Sequence, residues 1–333
     1  MRVKILGIFF CIFLTACSQT IEVDNHDIKI VSYNVQNFFD GSDNGKEYSE
    51  FKIENGLWSA AKYNNRLSKI SNLLKSSEFS SADIIFFQEI ENSSILKALL
   101  DSGLNRRGFL YYGSVSNDTP LSIGFISKIK PISVTLHAVS GERAIMGFEC
   151  FLNSEQTFIY ALHAKSQIGD EVENEKKRKE MAALMNTIKK QHYSANVIFI
   201  GDFNKDFALP YTEESAFIPV GYHSDKEIEA KGAFAITGDK TLIKKGVYYS
   251  PYLDNSLPLQ ADGTYYYKGE WSFLDNVLLN ENLVDDLGLD FLSFGVIALE
   301  AMRTEQGIPA RYEIEKGSGC SDHFAIEVNF TRR

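Results

Sequence analysis

The amino-acid sequence predicts an α+β fold, a sandwich formed by one large domain. Three observations predict this class. Many short apolar runs have the length of strands, amphipathic helices occur between some of them, and strict alternation of strand and helix is rare. The chain has 333 residues, of which 44% are hydrophobic, and residues 28–331 contain no internal repeat and no obvious linker. These features favour one domain over two.

The first 16 residues are typical of an export signal. Arg2 and Lys4 precede the apolar run ILGIFFCIFL, which is too short to span a bilayer stably, and the box LTAC follows. LTAC resembles the bacterial lipoprotein signal, in which the cysteine, here Cys17, becomes the lipidated first residue. A buried N-terminal helix is disfavoured because nothing caps it and polar sequence follows. We therefore expect a signal peptide at 1–16, a tether at 17–27, and lipid anchoring in the bacterial cell envelope, periplasmic or at the cell surface.

Charge and cysteine content limit the function further. Loss of residues 1–16 would change the formal net charge from −10 to −12. An acidic chain lacks the basic surface that drives tight, non-specific nucleic-acid binding, although a locally positive, metal-bearing cleft could still cleave a phosphodiester. Cys150 and Cys320 are the other cysteines outside the signal and the lipidation site. Their spacing leaves a disulfide open, but two buried thiols are favoured.

Strands are predicted where apolar runs are bounded by Gly, Pro or polar turns. These runs lie at residues 28–39, 82–90, 121–128, 132–140, 145–153, 157–166, 196–204, 271–279, 293–302 and 323–330. Helices are predicted where apolar residues recur every three or four positions, within residues 57–76, 93–104 and 171–192. Residues 205–260 have weak periodicity, so we expect loops with short helical pieces there.

Polar residues stand where the apolar strands begin or end. They are Asn34, Glu89, His163, Asp202, Asn204, Asp275, Asp322 and His323. Strands that share a core deliver their end residues to one rim, where loops leave room for a ligand. A rim with several carboxylates would repel itself unless a cation occupied it, and oxygen ligands suit Mg²⁺, Mn²⁺ or Ca²⁺. The histidines would remain for proton transfer, a combination that fits attack of water on a phosphoester.

The polar residues at the strand ends fall within six short sequence motifs. In chain order, these motifs are SYNVQNF, QEIEN, LHAKS, GDFN, WSFLDNVLL and SDHF. The order resembles that of the endonuclease/exonuclease/phosphatase superfamily, whose fold is that of the DNase I-like enzymes. The segment GTYYYKGEWSFLDNVLL is similar to exported bacterial members. The resemblance covers nearly all of the mature chain and implies a four-layer α/β/β/α sandwich, with two mixed β-sheets packed face to face over residues 28–331.

The resemblance also implies roles for residues around a metal and the attacking water. Glu89 would be the principal metal ligand, and Asp322 would support the metal or its waters. Asn34 would orient that ligand or the metal shell as a neutral amide. Asp202 would hold and polarise the water, while Asn204 would donate to the phosphoryl oxygens as charge develops.

Further roles concern proton transfer and phosphate binding. His323 would act in acid–base transfer, with its tautomer fixed by Asp275. His163 would donate to the phosphate or protonate the leaving oxygen, although it has no dedicated orienting acid. Lys165 could add positive charge near the phosphate, but a plain surface lysine is favoured. The tyrosine-rich segment at 265–271 could stack on a base or sugar, but packing against the sandwich is favoured.

We expect a Mg²⁺-dependent phosphoesterase, with hydrolysis of nucleic acid as its leading function. The first alternative is a phosphatase or phospholipase-like hydrolase of phosphoinositide, sphingomyelin or a small phosphodiester. A surface lipoprotein that keeps the fold only for binding is the second. The sequence has no HExxH, paired CxxC, phosphate loop, GxGxxG or GxSxG, which removes support for zincin, NTPase, dinucleotide-binding and serine-hydrolase functions. We expect a monomer that meets its phosphoester substrate and, through the lipid, a membrane.

Overall fold

The structure is a computed structural model that describes residues 26–138, 143–221, 223–258 and 261–333. The predicted signal peptide, Cys17 and most of the tether lie outside the described residues. Within the described ranges, no helix is long and apolar enough to cross a bilayer.

Strands and helices are numbered here in chain order. The strands are β1 (Ile28–Phe38), β2 (Ile84–Ile90), β3 (Tyr111–Val115), β4 (Ser122–Ser127), β5 (Ser133–His137), β6 (Ile145–Leu152), β7 (Glu155–His163), β8 (Asn196–Asp202), β9 (Phe217–Pro219), β10 (Phe234–Thr237), β11 (Tyr248–Tyr249), β12 (Tyr265–Tyr267), β13 (Glu270–Ser272), β14 (Asp275–Leu279), β15 (Leu289–Ile297) and β16 (Ala325–Arg332). The α-helices are α1 (Ala60–Leu74), α2 (Ser77–Ser80), α3 (Ser93–Asp101), α4 (Glu171–Gln191) and α5 (Asp225–Ala230). Short 3₁₀ helices lie at Ser49–Phe51, Ile53–Asn55, Leu104–Arg107, Lys240–Leu242, Pro251–Leu253, Glu281–Leu283 and Glu300–Met302.

Two large mixed sheets carry the fold. One has six strands in the order β15-β16-β1-β2-β4-β3, and the other has eight in the order β5-β6-β7-β8-β14-β11-β10-β9. In the larger sheet, β7 runs parallel to β8 with His163 opposite Asp202. On the other side β14 runs antiparallel to β8 with Asp275 opposite Asp202. This register places three predicted site residues side by side.

In the central strands, successive side chains point into two different apolar layers, because both faces of each sheet are covered. Ile30, Phe86 and Ile198 enter the core between the two sheets. Their neighbours on the opposite faces pack against helices instead. Val31 contributes to the layer that includes α1 and α3, and Phe199 to the layer that includes α4. Burial of each such side chain contributes about 1.5–3 kcal/mol to the stability of the folded state. The layers are therefore helix, sheet, sheet, helix, and the predicted fold class is confirmed.

Some elements differ from the sequence prediction. The second sheet is extended by β9, β10 and β11, in a region predicted to be loops with short helical pieces. The sequence did not predict these strands because runs of two to four residues are too short to show a period-two pattern. The predicted strand at 271–279 is divided at Phe273, whose N–H donates 3.0 Å to Asp206 Oδ2 instead of to a neighbouring strand. Cys150 and Cys320 are both buried free thiols, as favoured.

Candidate active site

The site lies where β1 and β2 leave their regular pairing. Between Asn34 and Phe38 the register of β1 against β2 shifts, and Asn37 has a φ of 49°. In β2 the residue at the irregularity is Glu89, with a φ of 64°. Left-handed backbone at residues other than glycine costs on the order of 1 kcal/mol or more, so it persists where surrounding contacts hold it. One such contact is the Asn37 N–H, which donates to Glu89 Oε2 at 2.8 Å.

Arg66 of α1 holds this irregular backbone from behind. Its fully buried guanidinium donates to the carbonyl oxygens of Val35 at 2.6 Å and Asn37 at 2.8 Å, and also to that of Gln36. The same group lies 3.9 Å from the ring centre of Tyr312. Burial lowers the pKa of Arg66 to about 10, so the side chain remains charged at neutral pH. Sequence reasoning missed Arg66, whose only signal was a basic residue on the apolar face of a helix.

Asn34 connects two carboxylates through its amide nitrogen. Asn34 Nδ2 lies 3.1 Å from Glu89 Oε1 and 3.0 Å from Asp202 Oδ2. Its oxygen accepts the Gln36 N–H at 2.9 Å. Metal ions bind the oxygen of an amide and not its nitrogen. The arrangement therefore suits the orienting role predicted for Asn34 better than direct metal ligation.

Asp202 ends β8 and is almost completely buried. Its Oδ1 accepts the Asn204 N–H at 2.8 Å. Burial raises the pKa of Asp202 to about 7. The charge of His323 opposes this shift only in part, and the charge of Asp275 adds to it. Asn204 donates from its side-chain amide to the Ala164 carbonyl oxygen at 3.0 Å, which leaves the second N–H of that amide for a ligand.

His323 forms a buried pair with Asp275. Its Nδ1 lies 2.8 Å from Asp275 Oδ2, and its Nε2 lies 3.9 Å from Asp202 Oδ2. Burial opposes a charge on His323, but Asp275, Asp202 and Asp322 together outweigh it and raise the pKa to about 10.

The same three residues, Asp202, Asp275 and His323, are close enough to hold a metal ion, with one ligand atom from each lying within 4.8 Å of the others. However, a histidine must be neutral to bind a metal, and the carboxylates around His323 favour its protonated form. The trio therefore suits proton transfer better than metal binding.

His163 faces both carboxylates and a cation that sequence reasoning missed. Its Nε2 lies 3.4 Å from Asp202 Oδ2 and 3.6 Å from Glu89 Oε1, and it contacts the guanidinium of Arg143. Burial, with the charges of Arg143 and His323, holds the pKa of His163 well below its usual value. A neutral imidazole suits hydrogen bonding to phosphate better than protonation of a leaving oxygen.

Arg143 also lies 3.3 Å from the Ala164 carbonyl oxygen. The only sequence signal for it was a basic residue just before β6. Its guanidinium provides five N–H donors beside the carboxylate cluster, which suits it to bind a phosphate.

Glu89 and Asp322 form the donor set that best fits a metal. Burial raises the pKa of Asp322, and the charge of Glu89 raises it further. The charges of His323 and of Arg311, whose Nε lies 3.8 Å from Asp322 Oδ2, offset these effects only in part. A carboxylate whose charge is disfavoured by burial and by a second carboxylate is stabilised by a cation shared between the two, and their oxygens suit a divalent ion such as Mg²⁺. The residues present therefore fit a divalent metal.

The structure brings eight of the predicted residues into this one region. Lys165, two residues beyond His163, is half-buried, and its ammonium makes no ion pair with the described residues. Its carbonyl oxygen accepts from Arg178 Nη1 at 3.0 Å. The individual roles of all these residues remain predictions.

Comparison with known proteins agrees with the fold. The model of the Endonuclease/Exonuclease/phosphatase family matches residues 29–332. No curated protein matches this sequence.

Several solved structures share the fold, with identities that show likeness of fold alone. A Bacteroides thetaiotaomicron endonuclease/exonuclease/phosphatase family protein is 16% identical, with a TM-score of 0.54 over 93% of this chain and 99% of that one. D. rerio TDP2 complexed with single-strand DNA product is 13% identical, with a TM-score of 0.51 over 92% and 99% of the two chains. A mannosyl-6-phosphatase from B. thetaiotaomicron is 16% identical, with a TM-score of 0.52 over 91% and 99%.

Members of the family are phosphoester hydrolases and use divalent metals. The family match spans almost all of the described residues, and the site has the carboxylates and imidazoles that such chemistry needs. This chain belongs to the endonuclease/exonuclease/phosphatase family.

Proposed function

We propose that this chain is a metal-dependent phosphodiesterase that acts on nucleic acid as a nuclease. The observation that carries the proposal is the position of Asp202. Its Oδ2 lies 3.0 Å from Asn34 Nδ2, 3.4 Å from His163 Nε2 and 3.9 Å from His323 Nε2. A buried carboxylate with a pKa of about 7 and fixed polar neighbours is suited to accept a proton from water near neutral pH.

The reaction follows from the charges around Asp202. Asp202 orients a water molecule and takes its proton as the water oxygen bonds to phosphorus. The ester P–O bond breaks, its electron pair stays on the leaving oxygen, and that oxygen takes up a proton from solvent. His323, kept as an imidazolium by Asp275, and Arg143 stabilise the negative charge on the phosphoryl oxygens. A divalent cation at Glu89 and Asp322, with Mg²⁺ as the proposed ion, supplies further positive charge to these oxygens when bound.

The choice of nucleic acid is supported by local charge. Arg143 and Arg311 both lie beside the carboxylate cluster, so the site has cations although the whole chain is acidic. The DNA product bound by the similarly folded TDP2 points the same way. A phosphatase acting on a small phosphomonoester is the second candidate, favoured by the net charge of −10 and by the similarly folded mannosyl-6-phosphatase.

The test offers the purified protein plasmid DNA, RNA, phospholipid vesicles and a soluble phosphomonoester, each with Mg²⁺ or with chelator. Asp202→Asn is the test variant, and Asp118→Asn, at a highly exposed side chain, is the matched control. We expect Mg²⁺-dependent nicking that falls by about 10²-fold or more in Asp202→Asn and is unchanged in Asp118→Asn.

Two other outcomes would contradict the nuclease. Release of phosphate or headgroup with intact DNA would favour the second candidate. No turnover of any substrate with any divalent metal would contradict enzymatic function and favour a binding protein.

We further propose that a lipid on Cys17 holds the protein in the bacterial cell envelope. The proposal is supported by the box LTAC after a basic start and an apolar run. Mass spectrometry of the protein made in a bacterial host should find acylation at Cys17, and Cys17→Ser should move the protein to the soluble fraction. An unmodified Cys17 in a membrane-free fraction would contradict the proposal.

A further inference from the structure

A small hairpin formed by β12 and β13 rises directly beside His323. Lys268 and Gly269 form its two-residue turn, with φ values of 50° and 90°, as expected for a tight hairpin turn. The hairpin is joined to the catalytic segment by backbone pairing of Tyr265 with His323, and the Phe324 N–H donates to the Thr264 carbonyl oxygen at 2.8 Å. The backbone of the hairpin is therefore held beside the reacting groups.

Packing explains one face of this hairpin. Tyr266 contacts Trp271 with ring centres 5.1 Å apart, and Trp271 in turn lies 6.0 Å from the ring of Phe324. These rings join the hairpin to the sandwich, which was the favoured role for the whole tyrosine-rich segment.

The opposite face carries Tyr265 and Tyr267, which point the same way because alternate residues of a strand share a face. We call these two side chains the tyrosine face. The ring of Tyr265 lies 4.8 Å from the imidazole of His323, and the ring of Tyr267 lies 6.3 Å from that of Tyr265 at an angle of 26°. Tyr267 is 52% exposed. A series of rings therefore leads from the reaction centre to solvent.

Cations lie at both ends of the tyrosine face. Lys268 Nζ lies 5.2 Å from the ring centre of Tyr267, at the outer end. At the inner end, Arg311 Nε lies 3.8 Å from Oδ2 of Asp322, the residue before His323, and the Arg311 side chain is 63% exposed. Burial raises the pKa of Tyr265 to about 12, so its ring is a neutral phenol at physiological pH. Flat rings flanked by exposed cations match a substrate that alternates planar groups with phosphates.

We propose that the tyrosine face is a subsite that stacks a nucleobase next to the phosphate held at His323. The inference deepens the proposed nuclease function and rests on it. It names the bases of a nucleic-acid strand, and not only its phosphates, as groups the protein binds. Stacking on an aromatic ring is tolerant of sequence because every base has a flat face, so the subsite would bind bases without selecting among them.

The test compares a short oligothymidylate with an oligonucleotide of the same length in which the residues flanking the scissile phosphate are abasic. The variants are Tyr267→Ala, Tyr267→Phe and, as a matched control, Tyr112→Ala. Tyr112 is 40% exposed on β3, at the edge of the other sheet. Tyr267→Ala should raise KM for oligothymidylate by about 5- to 100-fold with little change for the abasic substrate. Tyr267→Phe and Tyr112→Ala should resemble the unmodified protein.

Equilibrium binding of both oligonucleotides in chelator provides a readout that does not need turnover. The unmodified protein should bind oligothymidylate about 5-fold or more tightly than the abasic strand, and Tyr267→Ala should remove that difference. Equal binding of the two strands, or binding of neither, would overturn the stacking subsite whether or not the protein cleaves DNA. Displacement of oligothymidylate by a sugar phosphate as effectively as by a nucleotide would also overturn it. Failure of the nuclease proposal alone would appear as base-dependent binding without cleavage.

Discussion

Asn34 donates from its amide nitrogen to Asp202 Oδ2 at 3.0 Å. The same nitrogen reaches Glu89 Oε1 at 3.1 Å, so one neutral group joins the proposed base to the proposed metal ligand. The two carboxylates belong to different sheets, Glu89 to β2 and Asp202 to β8, so this contact bridges the two sheets.

Replacing Asn34 should therefore reduce catalysis more than folding. Asn34→Ala leaves two carboxylates without a shared donor, and we expect kcat for phosphodiester hydrolysis to fall by about 10²-fold. Asn34→Asp adds a third negative charge and should be at least as damaging. Asn65→Ala, at an exposed position of α1, is the matched control. A kcat within threefold of the unmodified value in Asn34→Ala would contradict the linking role.

Asp275 should control the charge of His323. Asp275→Asn replaces the charged partner 2.8 Å from His323 Nδ1, so the pKa of His323 should fall from about 10 towards the ordinary value of roughly 6.5. We expect kcat to fall by about 10²- to 10⁴-fold. NMR titration of the imidazole checks the first effect and steady-state kinetics the second. An imidazole that titrates as before in Asp275→Asn would exclude this role for Asp275.

Arg66 should position a metal ligand that it does not touch. Its guanidinium holds the backbone around Asn37, whose N–H donates to Glu89 Oε2 at 2.8 Å. We expect Arg66→Met to weaken divalent-metal binding by about 10- to 100-fold, as loss of an outer contact to a ligand does. It should also destabilise the fold by about 3 kcal/mol, because buried carbonyl oxygens lose a charged donor.

The measurement for Arg66 is metal titration at a temperature where circular dichroism finds the variant fully folded. Arg66→Lys keeps the charge but not the fork of donors, and it should give an intermediate affinity. Unchanged metal affinity in folded Arg66→Met would limit Arg66 to a structural role.

Glu91 should make stability depend on pH. Burial raises its pKa to about 7; the Asp40 N–H, which donates to it at 2.6 Å, partly offsets this, while the charges of Asp40 and Glu47 add to it. Because the folded pKa is above the unfolded value of 4.5, stability from this group is present below pH 4.5 and lost as pH rises through 7. Glu91→Gln stays neutral at all these pH values. Its free energy of unfolding, relative to that of the unmodified protein, should therefore rise by about 1–2 kcal/mol as the pH increases from 5 to 8.

Urea unfolding in chelator at the two pH values measures this effect. Glu180→Gln, at an exposed position of α4, is the control and should show no such gain. If the free-energy difference between Glu91→Gln and the unmodified protein is the same at pH 5 and pH 8, Glu91 does not titrate in this range.

The site residues at strand ends were predictable for a physical reason. The run VIFIG before Asp202 is apolar at every position because both faces of β8 are buried, so the first charged residue after it marks the rim. The registers of β7 and β14 against β8 then bring His163 and Asp275 beside Asp202. The pattern of an apolar strand predicts that each of these residues lies at a strand end. The order of strands in the sheet, which the sequence does not show, brings His163, Asp202 and Asp275 next to one another.

Arg66 and Arg143 were not predictable in the same way. Arg66 lies on the buried face of α1 with Ile70 and Leu74, at a position where an apolar residue is usual. Its burial depends on three carbonyl oxygens freed by the irregular backbone of β1, which no local pattern in the helix reports. Arg143 reaches His163 from outside any strand or helix, so its contact arises only from the tertiary structure.

The central claim is that Glu89 and Asp322, far apart in the chain, hold one divalent ion beside Asp202. Calorimetric titration of the chelator-treated protein with Mg²⁺ or Mn²⁺ tests it most directly. We predict one binding event that weakens by about 10-fold or more in Glu89→Gln and in Asp322→Asn, and is unchanged in Asp118→Asn. Equal metal affinity in the unmodified protein and in Glu89→Gln, or no binding of either ion to the unmodified protein, would contradict the account.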